Sequence, residues 1–580
     1  MDTRRFELFW QKDGTLHPQA PGWTRLRTNM RNAFPSPYRP TASDPLAVEL
    51  GHAIQLVDAL KPAANGPAFL GTKPAVPDYT KAEQATLDAK MATVRSVVNS
   101  CRDLFDGMPH WNHPLTMPNV VPPPNLAGII GAMMTGVFNP NIIEGEYAWN
   151  VAESELECAA MLAQLIGWDQ KTSRGLFTFG GTGCYLYALK YALTRVLGPD
   201  SRKTGIRTDA KLLVSQQGHY CKLNASDWSG LGMNNIIEIE TDPDTNAMDL
   251  ADLERRLQEC QANNVPVALV VCTMGTTDAN AMDPVARVRE LIEKYPNPAG
   301  YGKTFLYCDA VIGWSWLTFG NYDFAANPLG FSGKVLRELQ ANYAAIRDVV
   351  HADAVGCDFH KVGWAPYNCS LFMYQDRAEF EQLMRRPDAN YLQERTTYNP
   401  GLYTLEASRS GAGSMAAWAT LKYFGYEGFQ ATLGGILEMQ QYLRDLIEEF
   451  PEVVCVNPHD FGFVTLFRVY PPGTDARTQY QRELTDPAAK NELVSNNQLQ
   501  QAVADRLWLW FRDGQLHAGQ HAPYISYTSG FRPAEYNRDE SDPDAMVYAL
   551  KSYPMNLNIN PASMQTLLKL VVAARDSVRA

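Results

Sequence analysis

Residues 358–364 read Asp-Phe-His-Lys-Val-Gly-Trp, which places Lys361 directly after a histidine. A lysine that forms an imine with a carbonyl compound must be reachable and desolvated, because a solvated ammonium with a pKa of about 10.4 is a poor nucleophile. It also needs an electron sink beside it. Taken alone, the His360-Lys361 pair fits a surface turn or a helix end, so its chemistry depends on what other segments bring to it.

A glycine-rich turn comes earlier in the chain. The run Leu176-Phe177-Thr178-Phe179 predicts a short buried strand, and a helix is predicted from Tyr185 to Val196, with Gly180-Gly181-Thr182-Gly183 between them. In this geometry backbone N–H groups and the helix dipole bind a phosphate, and the Thr182 hydroxyl adds a bond. The turn matches neither GxGxxG nor the P-loop pattern, so it does not indicate a dinucleotide or ATP site.

Polar residues follow three further predicted strands. His219 comes after Leu212–Ser215, Thr273 after Val267–Cys272, and Asp309 after Thr304–Cys308. Strands that alternate with helices predict a parallel sheet, and ligands bind at the carboxyl ends of such strands.

Two of these residues could bind a pyridine ring that acts as the electron sink beside the lysine. Asp309 could hydrogen-bond to a pyridine nitrogen and keep it protonated, which makes the ring an electron sink; the alternative is a helix or turn cap. His219 could stack on the pyridine face; the alternative is a core histidine with satisfied hydrogen bonds.

Taken in chain order, these motifs resemble the group II pyridoxal phosphate decarboxylases, the family of aromatic amino acid and glutamate decarboxylases. The motifs are Thr182 in its Gly-Gly-Thr turn, His219, Thr273-Met274-Gly275-Thr276-Thr277, Asp309-Ala310 and His360-Lys361. The resemblance spans roughly residues 100 to 430, and the set is specific although each motif alone is common. It implies an α/β fold of the aspartate-aminotransferase type (fold type I), with a large domain built on a parallel or mixed sheet. It also implies a smaller carboxyl-terminal α+β domain and a homodimer with the active site at the interface.

The resemblance also implies a role for each motif. Lys361 is the lysine that forms the Schiff base with pyridoxal 5'-phosphate, Asp309 is the partner of the pyridine nitrogen, and His219 is the stacking residue with a catalytic part. The remaining cofactor contacts are Gly181, Thr182 and His360 on the phosphate side, and Thr273 and Ala310 beside the ring.

The reaction type is indicated by Asn390-Tyr391-Leu392. In the resembling family a mobile loop after the lysine carries a tyrosine that protonates the carbanionic intermediate, and Tyr391 lies at the corresponding distance. Tyr398 and Tyr403 are the alternative donors. Relatives that oxidise instead tend to carry phenylalanine there, so Tyr391 favours decarboxylation of an L-amino acid to an amine and CO2. An oxidative aldehyde synthase and a carbon–carbon lyase of the same fold are the alternatives.

The loop Gly107–Pro114 is predicted to line the substrate pocket through His110, Trp111 and His113. A metal site is not expected here, because no third ligand lies nearby and the prolines exclude a helix that would present both histidines. Residues 103–170 contain no lysine or arginine, which leans slightly against an acidic substrate. Arginines of the amino-terminal segment could still supply a cation, and aromatic, basic and diamino acids remain open; these arginines are Arg25, Arg27 and Arg31.

Composition excludes several classes of protein. A net charge of -12 disfavours nucleic acid and anionic membranes as partners. The first residues lack the apolar core of a signal peptide and no stretch approaches a membrane helix, so a cytoplasmic protein is predicted. The ten cysteines show no paired CxxC spacing, which argues for reduced, packed thiols and against zinc.

Three domains are predicted. Residues 1–105 form an amino-terminal arm with helices near Pro45–Leu60 and Lys81–Phe105, which wraps its own body or a partner subunit. Residues 106–413 form the cofactor-binding large domain, and residues 414–580 form the small α+β domain, in which Asp475–Asn491 is expected to be a loop.

Two departures from the family pattern are visible. The segment Phe319–Asn342 is an addition of about twenty residues relative to the animal aromatic enzymes, predicted to be a lid or an interface loop. Asp358 stands where many relatives have asparagine, and its negative charge is awkward beside a phosphate, so it is not expected to be a ligand.

Overall fold

The computed structural model describes residues 26–27, 30–31, 33–38, 44–72, 76–386, 392–538 and 542–579. They fall into two compact units, within residues 1–110 and residues 111–580. No helix in these described ranges is both long and apolar enough to cross a bilayer.

The first unit contains helices α1 (Pro45–Asp58) and α2 (Val94–Asp103) and a 3-10 turn at Tyr79–Gln84. Glu49 of α1 accepts two hydrogen bonds from the guanidinium of Arg95 in α2, at 2.7 and 2.9 Å. The predicted helix Lys81–Phe105 is therefore wrong in its first half. Residues 85–93 are exposed throughout, so no tertiary packing stabilises a helix there.

A seven-stranded sheet organises the described part of the second unit. Its strands are β1 (Arg174–Thr178), β2 (Lys211–Ser215), β3 (Ile236–Ile239), β4 (Val267–Thr273), β5 (Phe305–Asp309), β6 (Ala354–Asp358) and β7 (Ser370–Tyr374). The spatial order is β1-β7-β6-β5-β4-β2-β3. Strands β2 to β6 pair in parallel, and β7 is antiparallel to both β6 and β1. The carboxyl ends of β1, β2, β4, β5 and β6 therefore share one edge.

Both faces of this sheet are covered. In β4, Val270 and Cys272 belong to one apolar cluster, whereas Leu269 and Val271 belong to a second cluster on the opposite face. This explains the unbroken apolar runs in the sequence, since a strand buried on both faces does not alternate. The helices of the second unit before residue 412 are α3 (Leu126–Phe138), α4 (Gly145–Ala148), α5 (Val151–Ile166), α6 (Gly181–Leu197), α7 (Ser201–Thr204), α8 (Cys221–Trp228), α9 (Leu250–Ala262), α10 (Val285–Lys294), α11 (Gly333–Ile346) and α12 (Arg377–Met384).

The carboxyl-terminal region adds a four-stranded antiparallel sheet in the order β12-β13-β9-β8. Its elements are α13 (Ala412–Ile447), β8 (Val453–Cys455), β9 (Thr465–Val469), α14 (Ala476–Thr485), α15 (Lys490–Asp513), the hairpin β10 (Leu516–His517) and β11 (Gln520–His521), β12 (Ser526–Thr528), β13 (Ala549–Ser552) and α16 (Pro561–Arg579).

The predicted loop at Asp475–Asn491 is wrong, because it contains helix α14. Asp475 caps this helix by accepting a hydrogen bond from the Thr478 amide at 2.8 Å. Tyr480 and Leu484 are buried one turn apart. A third inward residue, Glu483, is charged and pairs with the buried Arg468 at 3.0 Å. This charge interrupts the apolar pattern by which the sequence would indicate a helix.

The added segment Phe319–Asn342 packs against the long helix α13. Phe331 lies over Gly434, where no Cβ intervenes, and the Ser332 amide donates to the Glu438 carboxylate at 3.0 Å. Ser332 also caps α11, which occupies the rest of the segment.

Candidate active site

Lys361 lies just past the carboxyl end of β6, and its Nζ is 3.0 Å from Oδ2 of Asp358. The Lys361 side chain keeps a fifth of its surface exposed, whereas Asp358 is 1% exposed. The other oxygen of Asp358 accepts a hydrogen bond from the Ser370 hydroxyl of β7 at 2.6 Å. The lysine is thus reachable and also anchored by a buried carboxylate.

Opposing effects act on the pKa of Lys361. Burial lowers this pKa, but the negative charges of Asp358 and Asp309 outweigh burial, so the net shift is upward. The ε-amino group is therefore held as an ammonium in the cofactor-free protein, and loss of its proton requires a change in the surrounding charge.

Asp309 is the last residue of β5 and is buried. Burial raises the pKa of its carboxyl to about 6, although the Lys361 charge lowers it. Among the described residues, its Oδ1 has no hydrogen-bond partner. A buried carboxylate oxygen left unpaired is costly, and a protonated pyridine nitrogen would satisfy it. The residues present therefore fit pyridoxal phosphate at this position.

Thr273 and Ala310 flank Asp309. Thr273 of β4 lies opposite Asp309 in the sheet register, and its buried Oγ1 also has no hydrogen-bond partner within the described ranges. Its amide donates to the buried Asp283 at 2.7 Å, which fixes the end of β4. Ala310 is fully buried. These two residues lie where the resemblance expects the ring.

His219 lies four residues beyond β2 and is half-buried. Its Nδ1 accepts a hydrogen bond from the Cys221 amide at 3.2 Å, which leaves the ring proton on Nε2. Burial, followed by the charge of Lys361, lowers the pKa of His219 to about 4. The imidazole is therefore neutral at physiological pH.

The glycine turn opens helix α6 at the same edge. Gly180 adopts φ +94°, a conformation that favours glycine. A Cβ on Gly181 would lie 3.1 Å from the Val311 side chain and 3.2 Å from Oδ2 of Asp358, so this backbone is a tight cradle. The first N–H groups of a helix have no intrahelical acceptor, and Gly181 and the half-buried Thr182 supply them here.

His360 is buried beside the same carboxylate. Its Nδ1 lies 3.1 Å from the Cys369 carbonyl oxygen, and its Nε2 lies 3.4 Å from Oδ2 of Asp358. Burial lowers the pKa of His360. Its phosphate-side role stays a prediction.

Other predicted residues lie elsewhere or beyond the described ranges. His110 belongs to the first unit. Trp111 packs near Tyr524, with ring centroids 6.2 Å apart, and the Asn556 amide donates to the carbonyls of Trp111 and His113 at 3.1 and 3.2 Å. Their role in a substrate pocket stays a prediction. Tyr391 lies outside the described residues.

The two alternative tyrosines occupy buried positions. Tyr398 donates a hydrogen bond to Glu155, and Glu155 accepts two from Arg409 at 2.7 and 2.8 Å. Tyr403 packs edge-on against Phe380. Both hydroxyl-bearing side chains are thus part of the core.

Sequence analysis missed Tyr367 and Ser370. The Tyr367 ring packs on His360, with ring centroids 4.3 Å apart. Burial raises the pKa of Tyr367, and the charge of Lys361 opposes part of that rise. Tyr367 also lines a cavity of about 340 Å³ with Thr178 and Phe179. The only signal in the sequence was its position six residues after Lys361.

The fold is that of a fold type I pyridoxal enzyme, and the residues at this sheet edge fit that class. The sequence model of the family described as "Pyridoxal-dependent decarboxylase conserved domain" matches residues 77–319 and 333–469. The chain therefore belongs to the pyridoxal-dependent decarboxylase family, whose members include amino acid decarboxylases. This confirms the resemblance drawn from the motifs. The unmatched residues 320–332 fall inside the added segment.

Several curated relatives are similar over part of the chain. An acidic amino acid decarboxylase from Bos taurus is 24% identical over 360 residues, which cover 61% of this chain and 63% of the relative. An L-2,4-diaminobutyrate decarboxylase from Rhizobium meliloti is 26% identical over 279 residues, which cover 48% of each chain. The chain thus matches less than two thirds of the length of these relatives.

Solved structures share the fold across nearly the whole chain. Mouse CSAD in its apo form aligns with a TM-score of 0.71 at 18% identity, covering 92% of this chain and 99% of that chain. Rhodiola rosea 4-hydroxyphenylacetaldehyde synthase aligns with a TM-score of 0.68 at 14% identity, covering 93% and 100%. These alignments confirm the fold type I architecture.

Proposed function

We propose that this protein removes the α-carboxylate of an L-amino acid as CO2 and releases the corresponding amine, with pyridoxal 5'-phosphate as cofactor. The observation that carries the proposal is the group formed by Lys361, Asp309 and His219 at one sheet edge. Within it, a reachable lysine lies near a buried carboxylate whose Oδ1 lacks a partner in the described part of the chain. Membership of the decarboxylase family supports the same activity.

When bound, pyridoxal phosphate supplies a conjugated ring that accepts the electron pair left when CO2 departs. Lys361 would hold the cofactor covalently, and Asp309 would hold a proton against the pyridine nitrogen. The neutral His219 would pack on the ring face. The amides of Gly181 and Thr182 would bind the phosphate, whose charge the helix dipole of α6 would favour.

The neighbours of Lys361 also control its proton. Asp358 stabilises the ammonium form, so Nζ of Lys361 regains a proton readily and loses it only when the surrounding charge changes. Tyr391 is proposed to deliver the final proton to Cα of the decarboxylated substrate. The buried hydrogen bond of Tyr398 to Glu155 makes Tyr398 a poor candidate for that step.

The activity is tested by screening the twenty amino acids and L-2,4-diaminobutyrate for CO2 release while amine, ammonia and hydrogen peroxide are measured together. Amine in a one-to-one ratio with CO2 is the expected result. Ammonia and peroxide would instead indicate an oxidative aldehyde synthase, and cleavage without CO2 would indicate a carbon–carbon lyase.

The matched control for the lysine is Lys303, an exposed residue close before β5. Lys361→Ala should lose both CO2 release and the visible absorbance of the bound cofactor, and Lys303→Ala should keep both. A Lys361→Ala protein that retains this absorbance after borohydride treatment would overturn the assignment of the lysine.

We also propose a homodimer, supported by helix α3. Four apolar side chains spaced four residues apart form an exposed stripe along it, namely Leu126, Ile130, Met134 and Phe138. A continuous apolar stripe on a helix is stabilised when a second surface covers it. Light scattering after size exclusion should give the mass of two chains for the wild type and of one chain for a variant carrying Ile130→Glu and Met134→Glu.

A cytoplasmic location is proposed on the state of the cysteines. All ten are free thiols, and eight of them are buried. Free thiols persist in reducing compartments. Fractionation of the source cells should find the protein with cytoplasmic markers, and recovery in a secreted fraction would contradict the proposal.

A further inference from the structure

A second cavity, of about 310 Å³, lies between helix α6, the short helix α7, the end of α8 and the end of α12. Its lining shares no residue with the group around Lys361 or with the cavity beside Tyr367. Most of its wall is apolar or aromatic. The residues that matter here are Leu186, Trp228, Met384 and Tyr403.

Three cationic side chains also line this cavity, namely Lys190, Arg202 and Arg386. Arg202 donates hydrogen bonds only to backbone carbonyls at the end of α12, at 2.7 to 3.1 Å. Arg386 donates to the carbonyls of Thr404 and Leu405. In the described part of the chain, Lys190 has no hydrogen bond or ion pair to its ammonium. Among the described residues, no carboxylate lines this cavity with the three cations, in a chain whose net charge is -12.

Within the described ranges, no carboxylate compensates the charge of these three side chains. Burial, followed by the charge of Arg202, lowers the pKa of Lys190, and burial followed by the charge of Arg386 lowers the pKa of Arg202. Partly buried like charges repel one another and lack full hydration. The carboxylate of Glu406, which accepts a hydrogen bond from Tyr187 in this wall, lines the other cavity instead.

We propose that this cavity binds a small organic anion that has a flat apolar body, a carboxylate or phosphate head and no ammonium group. The aromatic and aliphatic wall takes the body, and Lys190 and the two arginine side chains take the head. An ammonium group would be repelled by the three cations. The amino acid substrate and the amine product are therefore not its ligands, and the site is separate from the proposed decarboxylase chemistry.

The experiment uses fluorine NMR titration of cofactor-saturated protein with three probes of one shape. These are 4-fluorophenyl phosphate, 4-fluorobenzoate and 4-fluorobenzylamine. Saturating the protein with cofactor keeps the phosphate probe away from the turn at Gly181. One or both anions should bind saturably, the amine should not, and the stronger anion identifies the head group.

Two variants make the assignment specific. Lys190→Met should weaken binding of the anion about tenfold or more, because it removes an ammonium and keeps the side-chain volume. Lys203→Met is the matched control, since Lys203 is an exposed neighbour of Arg202 that does not line the cavity. Its affinity should equal that of the wild type. The proposal is overturned if neither anion binds, if Lys190→Met binds as tightly as the wild type, or if the benzylamine binds as well as the anions.

Discussion

The ammonium of Lys361 lies 3.0 Å from the carboxylate of Asp358, and Oδ2 of the same carboxylate lies 3.2 Å from the position that a Cβ on Gly181 would occupy, at the start of helix α6. One buried acid thus lies beside both the predicted covalent anchor and the predicted phosphate cradle. Asp358 forms an ion pair with Lys361 and accepts a hydrogen bond from Ser370 through its other oxygen. Its negative charge therefore stabilises the lysine ammonium, although it repels a phosphate bound nearby.

Asp358→Asn should speed the capture of cofactor. Asparagine keeps an oxygen for Ser370 but removes the charge that raises the pKa of Lys361, so more of the lysine is neutral amine at a given pH. Loss of that charge also removes repulsion of the incoming phosphate. The rate should rise about tenfold for each unit by which the pKa falls.

Stopped-flow absorbance of cofactor-free protein mixed with pyridoxal phosphate, at several pH values, measures this rate. Asp348→Asn is a suitable control, because Asp348 is paired only loosely with Arg347 at the surface, at 3.8 Å. An unchanged profile of rate against pH in Asp358→Asn would mean that Asp358 does not govern Lys361.

Asp309→Asn should flatten the dependence of stability on pH in the cofactor-free protein. The folded-state pKa of Asp309 is about 6, above its ordinary value of 3.8, so the protonated form favours the folded state. This contribution is complete below the unfolded pKa and is lost as the pH rises through about 6. The wild type should therefore lose about 1 kcal/mol more than the variant between about pH 5 and about pH 8.

Melting temperatures of both proteins at the two pH values test this difference. The buried acids Asp283 and Asp460 titrate in both proteins, so subtraction isolates Asp309. The loaded variant should also lose about 100-fold or more in turnover, since asparagine cannot hold a proton on the pyridine nitrogen. Equal pH slopes in the two proteins would show that Asp309 does not carry the shift.

Much of this site could be predicted because its residues follow buried strands. The apolar runs that end at Thr273 and Asp309 are long and unbroken, and the carboxyl ends of parallel strands meet at one edge. Ser370 could not be found in this way. It reaches Asp358 from the antiparallel strand β7, and a single sequence does not show which strands become neighbours.

The errors in secondary structure have the same origin. The sequence predicts a loop where helix α14 lies because Glu483, one of its inward residues, is charged and pairs with the buried Arg468. The extended residues 85–93 carry helical spacing but no surface that buries it. In both segments, tertiary contacts determine whether a helix forms, and such contacts are not visible in local sequence patterns.

Glu155→Gln should destabilise the fold, whereas Tyr398→Phe should do so only moderately. Glu155 is fully buried and neutralises Arg409 through two hydrogen bonds, so the amide leaves a buried cation without its partner. The expected loss is about 3–5 kcal/mol. Tyr398→Phe removes one hydrogen bond to the same carboxylate and should cost about 1.5–3 kcal/mol.

Chemical unfolding at fixed cofactor concentration measures both changes. The products of Tyr398→Phe should still be amine and CO2 in equal amounts, because its hydroxyl is committed to Glu155. Appearance of aldehyde in that variant would place Tyr398 in the chemistry after all.

Tyr391→Phe should divert the reaction from amine to aldehyde. If Tyr391 supplies the proton to Cα, the variant leaves a carbanion that dioxygen can oxidise. The balanced outcome is that amino acid, O2 and water give aldehyde, CO2, ammonia and hydrogen peroxide. Peroxide and amine measured in the same reaction, with and without oxygen, report the partition.

Tyr367→Phe is the matched control for this prediction. Tyr367 packs on His360, and the charge of Lys361 opposes part of the rise that burial gives the pKa of Tyr367, so among the described tyrosines it is the best placed alternative proton donor. The phenylalanine keeps the ring on His360 and removes only the hydroxyl. Amine should remain the product of Tyr367→Phe while peroxide accumulates with Tyr391→Phe. The reverse pattern would identify Tyr367 as the proton donor, because the hydroxyl whose loss exposes the carbanion to oxygen is the one that protonates Cα.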